Sequence, residues 1–210
     1  MAAYERARRR WIESGNDKPL SMATLDNNLG RVAEDVGDNL RAVAAYERAK
    51  EICAGAIERA SESRLVELLA VVENNLGNAL GNLSRSSEAK QAYERALALC
   101  LRAAKERGSG AVDYLVAAIH VNLGNSWRRS DATRALEACE RARAIWSRLV
   151  EREGRVEWAR ELAKTDRIRG ELLMERGNPQ AAVEVFECAR KVYTDLLVRG
   201  GGGMMPGDLA

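Results

Sequence analysis

Any chemistry in this chain would have to be carried by His120, by Cys53, Cys100, Cys139 and Cys188, by its acidic side chains, or by an asparagine that returns at Asn28, Asn75 and Asn122. The first three fail as catalytic or metal-holding sets. His120 sits between Ile119 and Val121 with no second histidine, no cysteine cluster and no H-E-x-x-H spacing to hold a metal. The cysteines show no C-x-x-C pairing. Cys53 and Cys100, 47 residues apart, fall at one place in successive copies of a pattern, so the cysteines read as small buried apolar residues. Carboxylates alternate with arginines at helical spacing, which is the pattern of a solvated face. No G-x-x-x-x-G-K-[ST] phosphate loop is present, and the Gly200–Gly203 run opens no helix. No catalytic residue, metal or cofactor is expected, and the chain is not read as an enzyme.

The asparagines are different because their spacing repeats. Asn28, Asn75 and Asn122 each precede the Leu of a Leu-Gly pair; three residues on stand Arg31, Asn78 and Asn125, and four further Asp35, Asn82 and Arg129. At steps of three and four these form one polar stripe per helix, turned away from the apolar stripe of Leu25, Leu29 and Ala33. Asparagine costs a helix interior up to ~0.7 kcal/mol relative to alanine, so three copies at one position call for a benefit. A side-chain amide can clamp both the C=O and the N–H of a peptide backbone, recognising an extended chain without demanding a particular side chain. Asn28, Arg31, Asn75, Asn78, Asn82, Asn122, Asn125 and Arg129 are therefore the candidate peptide-binding residues, with amides expected to be exposed and unclaimed by their own repeat. The alternative is that duplication copied an asparagine that bonds within its own repeat. Ile168 occupies the fourth position, so the ladder is expected to stop after three rungs.

What positions these residues is a repeated helical unit. Tyr-Glu-Arg-Ala occurs at Tyr4–Ala7, Tyr46–Ala49 and Tyr93–Ala96 and returns as Cys139–Ala142 and Phe186–Ala189; Gly30, Gly77, Gly124 and Gly170 follow at spacings of 47, 47 and 46 residues. A fixed period of this length marks a solenoid in which each unit packs on its neighbours. First helices are expected over 19–36, 63–83, 111–129 and 156–176, second helices over 39–60, 86–107, 132–153 and 179–199. The breaks fall at Gly37-Asp38, Ser84 to Ser87, Gly108-Ser109-Gly110, Ser130-Asp131, Gly154 and Gly177-Asn178-Pro179. One continuous domain over 1–199 divides into a half repeat at 1–17 and repeats at 18–61, 62–108, 109–154 and 155–199, with a flexible glycine-rich tail at 200–210. The expectation is all-α: nine antiparallel helices in a right-handed superhelix.

Charge narrows the partners. With 33 basic and 31 acidic side chains the formal charge is +2, too balanced to favour nucleic acid, and the Arg6, Arg8, Arg9, Arg10 run reads as a solvated helix face. Trp11, Trp127, Trp146 and Trp158 lack the positive groove that base stacking requires and are assigned to packing; Trp127 lies four residues after Leu123 on one apolar stripe. No stretch approaches the roughly 20 apolar residues that cross a bilayer, so a cytoplasmic, non-membrane protein is expected.

These repeats resemble the tetratricopeptide repeat, whose pattern is W-x2-L-G-x2-Y, then A-x3-F, then P. The Leu-Gly pairs match, and A-x3-F is met by Ala42 to Tyr46, Ala89 to Tyr93, Ala135 to Cys139 and Ala182 to Phe186, each followed by Ala49, Ala96, Ala142 or Ala189. Glycine and alanine let the two helices approach while the aromatic fills the gap beyond. The Trp position is instead polar, held by Asp26, Glu73, His120 and Asp166, and the terminal Pro is absent, which makes a long-helix variant. Leu25-Asp26-Asn27-Asn28-Leu29-Gly30 also resembles kinesin-light-chain-type repeats. The resemblance implies a scaffold that binds a peptide or protein segment on a concave surface lined by first helices. The competing expectation is a self-assembling or excised module of a larger signalling protein. The first helix presents Tyr4, Ala7, Trp11 and Ile12, and the last Val185, Phe186, Ala189, Val192, Tyr193 and Leu196, with no polar caps, which predicts either homo-oligomer formation through an end or a longer parent chain.

Overall fold

The computed structural model describes residue 6, residues 19–59 and residues 63–200. The half repeat at 1–17, with Trp11, and the tail beyond 200 lie outside them. Within the described residues there are eight α-helices and no strand: α1 Pro19–Asp35, α2 Asn39–Arg59, α3 Ser63–Asn82, α4 Ser86–Arg107, α5 Asp113–Trp127, α6 Ala132–Ser147, α7 Ala159–Glu175 and α8 Pro179–Gly200. They fall into two compact units, one ending at Asn122 and the other beginning at Leu123. In the first unit α1 packs on α2, α3 on α4, and α2 on α3; in the second α7 packs on both α6 and α8.

Three of the turns between paired helices share one device. Gly37, Ser84 and Gly177 adopt φ of 78°, 62° and 73°, and the next residue's N–H reaches back to Ala33, Leu80 or Leu173 at 2.8–2.9 Å, closing the preceding helix. The following helix is capped by a side chain in three cases: Asp38 accepts from the Arg41 N–H, Asp131 from Arg134 and Asn178 from Ala181. Before α4 the same place is held by Arg85, which makes no cap and pairs with Glu88 instead.

The core follows the repeat. Ala42, Ala49, Ala89, Ala96, Ala135, Ala142, Ala182 and Ala189 are all buried, as are the Leu-Gly leucines Leu29, Leu76 and Leu123. A Cβ added to Gly77 would stand 2.5 Å from Tyr93 Cε1, and one on Gly124 would stand 2.6 Å from Cys139 Sγ; Gly30 meets Tyr46 and Gly170 meets Phe186 in the same way. The ring, or the thiol in the third repeat, lies where a side chain would be, so glycine is required for the helices to approach.

Two expectations are corrected. The helix expected over 132–153 ends at Ser147 and continues as a π-helical turn, Arg148–Arg152, with Leu149 buried. The cause is steric: Trp146 stands at the position that Cys53 and Cys100 hold in earlier repeats, and its ring stacks on Trp158 at 5.3 Å, a bulk the thiol lacks. Cys188, expected to be buried, is exposed, whereas Cys53, Cys100 and Cys139 are buried. Burial raises the last three thiols, Cys53 and Cys100 to about 12 and Cys139 to about 11, which keeps them protonated and inert.

Candidate binding surface

In the first unit the asparagine stripe runs along α1, α3 and the start of α5. Asn28, Asn75, Asn78 and Asn122 are half-buried, and Arg31 and Asn82 are exposed. Asn28 has no side-chain hydrogen-bond partner among the described residues. The amide of Asn75 donates to Asn27 Oδ1 at 3.0 Å and that of Asn122 to Asn74 Oδ1 at 2.9 Å, each partner lying one repeat earlier. The Asn75 and Asn122 nitrogens are thus engaged by the preceding repeat and not by their own: each uses one N–H to tie its helix to the preceding first helix, and within its own repeat Asn75 Oδ1 accepts from Asn74. Asn78 accepts from the Tyr93 hydroxyl at 2.8 Å, the counterpart of Tyr46 donating to Glu34 at 2.5 Å, and Asn82 donates to Asn39 Oδ1 at 3.2 Å.

One turn before the stripe, a hollow of about 370 Å³ is lined by Leu20 and Thr24 of α1, Arg64, Glu67, Leu68 and Val71 of α3, and Arg107 of α4. Glu67 pairs with Arg107 at its edge. Thr24 and Val71 stand four residues before Asn28 and Asn75, so apolar and amide surface follow one another along α3.

The second unit carries Asn125 and Arg129, both exposed at the end of α5. Its fourth-repeat stripe reads Ile168, Glu171, Glu175, and Arg128 binds Glu171 at 2.9 Å and Glu175 at 2.5 Å. Trp127 and Trp158 are only half-buried, with the Arg134 and Arg155 guanidinium groups 5.0 and 5.7 Å from their ring centres, while Trp146 is buried as expected. On α8, Ala189 and Tyr193 are buried, Val185, Phe186, Val192 and Leu196 half-buried, and Val183 is 59% exposed.

Three of the four polar Trp-position residues, Asp26, Glu73 and Asp166, turn out to be in buried ion pairs, which the sequence reading did not anticipate, while His120 is half-buried. Asp26 meets Arg48 at 3.1 Å, Glu73 meets Arg95 in two bonds of 2.9 and 2.8 Å, and Asp166 meets Arg143 at 2.9 Å and Arg169 at 2.7 Å. The signal was present: Arg48 and Arg95 are the arginines of the recurring Tyr-Glu-Arg-Ala. In the fourth repeat that place is Cys188, and Asp166 draws on α6 and its own helix instead.

None of the described helices is long and apolar enough to cross a membrane. Residues 74–101 match the model of the tetratricopeptide repeat. No curated protein matches the chain closely enough to count as a relative. Among solved structures, the chain is similar to BtubC (BKLC) from P. vanneervenii, with 23% identity, 98% of this chain and 75% of that one covered, and a TM-score of 0.75. It is also similar to the apo form of RapI, with 15% identity, 92% of this chain covered and a TM-score of 0.73, and it spans 63% of RapI's length. Residues 74–101 thus match a tetratricopeptide repeat, and the chain shares the helical-repeat fold of these two structures.

Proposed function

We propose that the chain is a non-catalytic interaction scaffold whose first unit binds an extended peptide or partner segment along a groove of first helices. The observation that carries this reading is the recurring stripe of Asn28, Asn75 and Asn122, with Arg31, Asn78 and Asn82, half-buried or exposed and with hydrogen-bonding capacity to spare. An asparagine with one N–H engaged still offers a second N–H and an oxygen, enough to bind a peptide backbone. Asn125 and Arg129 are proposed as binding residues of the second unit by itself. The kinesin-light-chain likeness of residues 25–30 and a cytoplasmic location belong to the same reading.

The test is a selection from a random phage-displayed peptide library on the intact chain, followed by anisotropy titration of the enriched peptides. Asn28→Ala and Arg31→Ala, which lie outside the inter-repeat bonds, should each weaken binding about tenfold with unchanged thermal stability. Unchanged affinity in both variants would remove the stripe from the site. A second reading, self-association through α8, is favoured by the exposed Val183 beside half-buried Val185, Phe186 and Val192. Light scattering decides it: a monomer near 23.1 kDa at all concentrations rules it out.

A further inference from the structure

Three of the asparagine contacts of the first unit form one directed chain. Asn122 Nδ2 donates to Asn74 Oδ1 at 2.9 Å, Asn74 Nδ2 to Asn75 Oδ1 at 3.4 Å, and Asn75 Nδ2 to Asn27 Oδ1 at 3.0 Å. It runs from α5 through α3 to α1: the nitrogens of Asn122 and Asn75 face the earlier repeat, and the middle link, within α3, is the long one. Asn27 and Asn74 are 6% and 7% exposed, whereas Asn75 and Asn122 are half-buried on the stripe. An amide that accepts at oxygen and donates at nitrogen passes its polarisation along such a series and fixes which end of each side chain turns inward.

We propose that Asn27 and Asn74 are positioning residues for peptide recognition. They hold the Asn75 and Asn122 nitrogens inward, so that Asn122 Oδ1, which has no donor among the described residues, faces the ligand as an acceptor for a backbone N–H. Asn122 is thus the acceptor rung of the groove, and the ligand group it takes is a peptide amide hydrogen. This rests on the groove reading above.

The chain's direction makes its two ends respond differently to one substitution. Asn27 only accepts, so Asn27→Asp keeps its role; Asn122 must donate, so Asn122→Asp loses its bond to Asn74. In the 15N-labelled intact chain, Asn74→Ala should speed hydrogen exchange of the Asn122 side-chain amide about fivefold and weaken a library-selected peptide about fivefold. Asn27→Asp should keep the Asn75 amide protected where Asn27→Leu exposes it.

Backbone N-methylation of that peptide, one position at a time, should find one position whose penalty vanishes in Asn122→Ala. Unchanged Asn122 exchange in Asn74→Ala, or an Asn75 amide as exposed in Asn27→Asp as in Asn27→Leu, overturns the directed chain. A changed amide signal with unchanged peptide affinity overturns the positioning role and leaves the groove reading standing. Failure of the library to yield any peptide rejects the groove reading and this role together.

Discussion

The first two repeats and the last two build the same helix pairs with different side-chain chemistry. In α1 to α4 the Leu-Gly glycines Gly30 and Gly77 each meet a tyrosine, each buried carboxylate takes the arginine of its own repeat, and first helices are joined by side-chain amides. In the second unit Gly124 and Gly170 meet Cys139 and Phe186, Asp166 is served by Arg143 and Arg169, and charged Arg128 with Glu171 and Glu175 takes the part that neutral amides play earlier. What persists is geometry: glycine facing the aromatic or thiol position, and alanine at the second-helix contact. Polar links are exchangeable because burial requires only that a charge find a partner, whereas close packing leaves no room for a Cβ.

The largest effect should come from the shared feature. Gly77→Ala places its Cβ on the Tyr93 ring, and Gly124→Ala meets both Cys139 Sγ and the Ala135 carbonyl; each should cost about 2–3 kcal/mol in chemical denaturation, and a tolerant Gly124 would mean that the third repeat packs by other means. Ion pairs should then separate the halves. Arg95→Ala leaves Glu73, 4% exposed, without its arginine and should cost about 2–3 kcal/mol, discounted for the exposed end of Arg95, whereas Arg143→Ala leaves Arg169 on Asp166 and should cost under about 1 kcal/mol. Equal losses would contradict the double coverage of Asp166.

A subtler contrast lies within the first unit. Burial raises the Glu34 carboxyl above 4.5 despite the Tyr46 hydrogen bond, while its counterpart in the second repeat, Asn78 with Tyr93, cannot titrate. A raised carboxyl contributes stability below its unfolded pKa and loses it as pH rises through the folded value. Glu34→Gln, which still accepts from Tyr46, should therefore gain on the parent chain at pH 7 and lose that advantage as pH falls below 4.5. A pH-independent difference between the two melting curves would remove Glu34 as the cause. The smallest effect is a repair: Ser84→Gly with Arg85→Asp restores the Gly-Asp turn found at Gly37-Asp38 and should add about 1 kcal/mol in thermal unfolding. No gain would show that neither the positive φ nor the missing cap is limiting.

Architecture was legible because glycine, alanine and turn residues act locally: both ends of α3 and α4 fall within one residue of the sequence expectation. The π turn was not, because periodicity does not register the steric demand of one Trp146 on a distant Trp158. Nor were the buried ion pairs, since Asp26 and Arg48 lie 22 residues apart on different helices and a carboxylate at helical spacing looks solvated. The stripe itself was readable, but its anchoring was not: Asn27 and Asn74 look like neighbours of the repeated asparagine, and their bonds reach 48 residues along the chain.

The most direct test of the binding surface is a two-dimensional NMR titration of the labelled intact chain with a library-selected peptide. The account predicts that side-chain and backbone amides of Asn28, Asn78, Asn82 and Asn122 shift together at one affinity while the backbone amides of Lys90, Glu94 and Leu101 on α4 stay in place. Shifts confined to α4, with the asparagine amides unmoved, would contradict it.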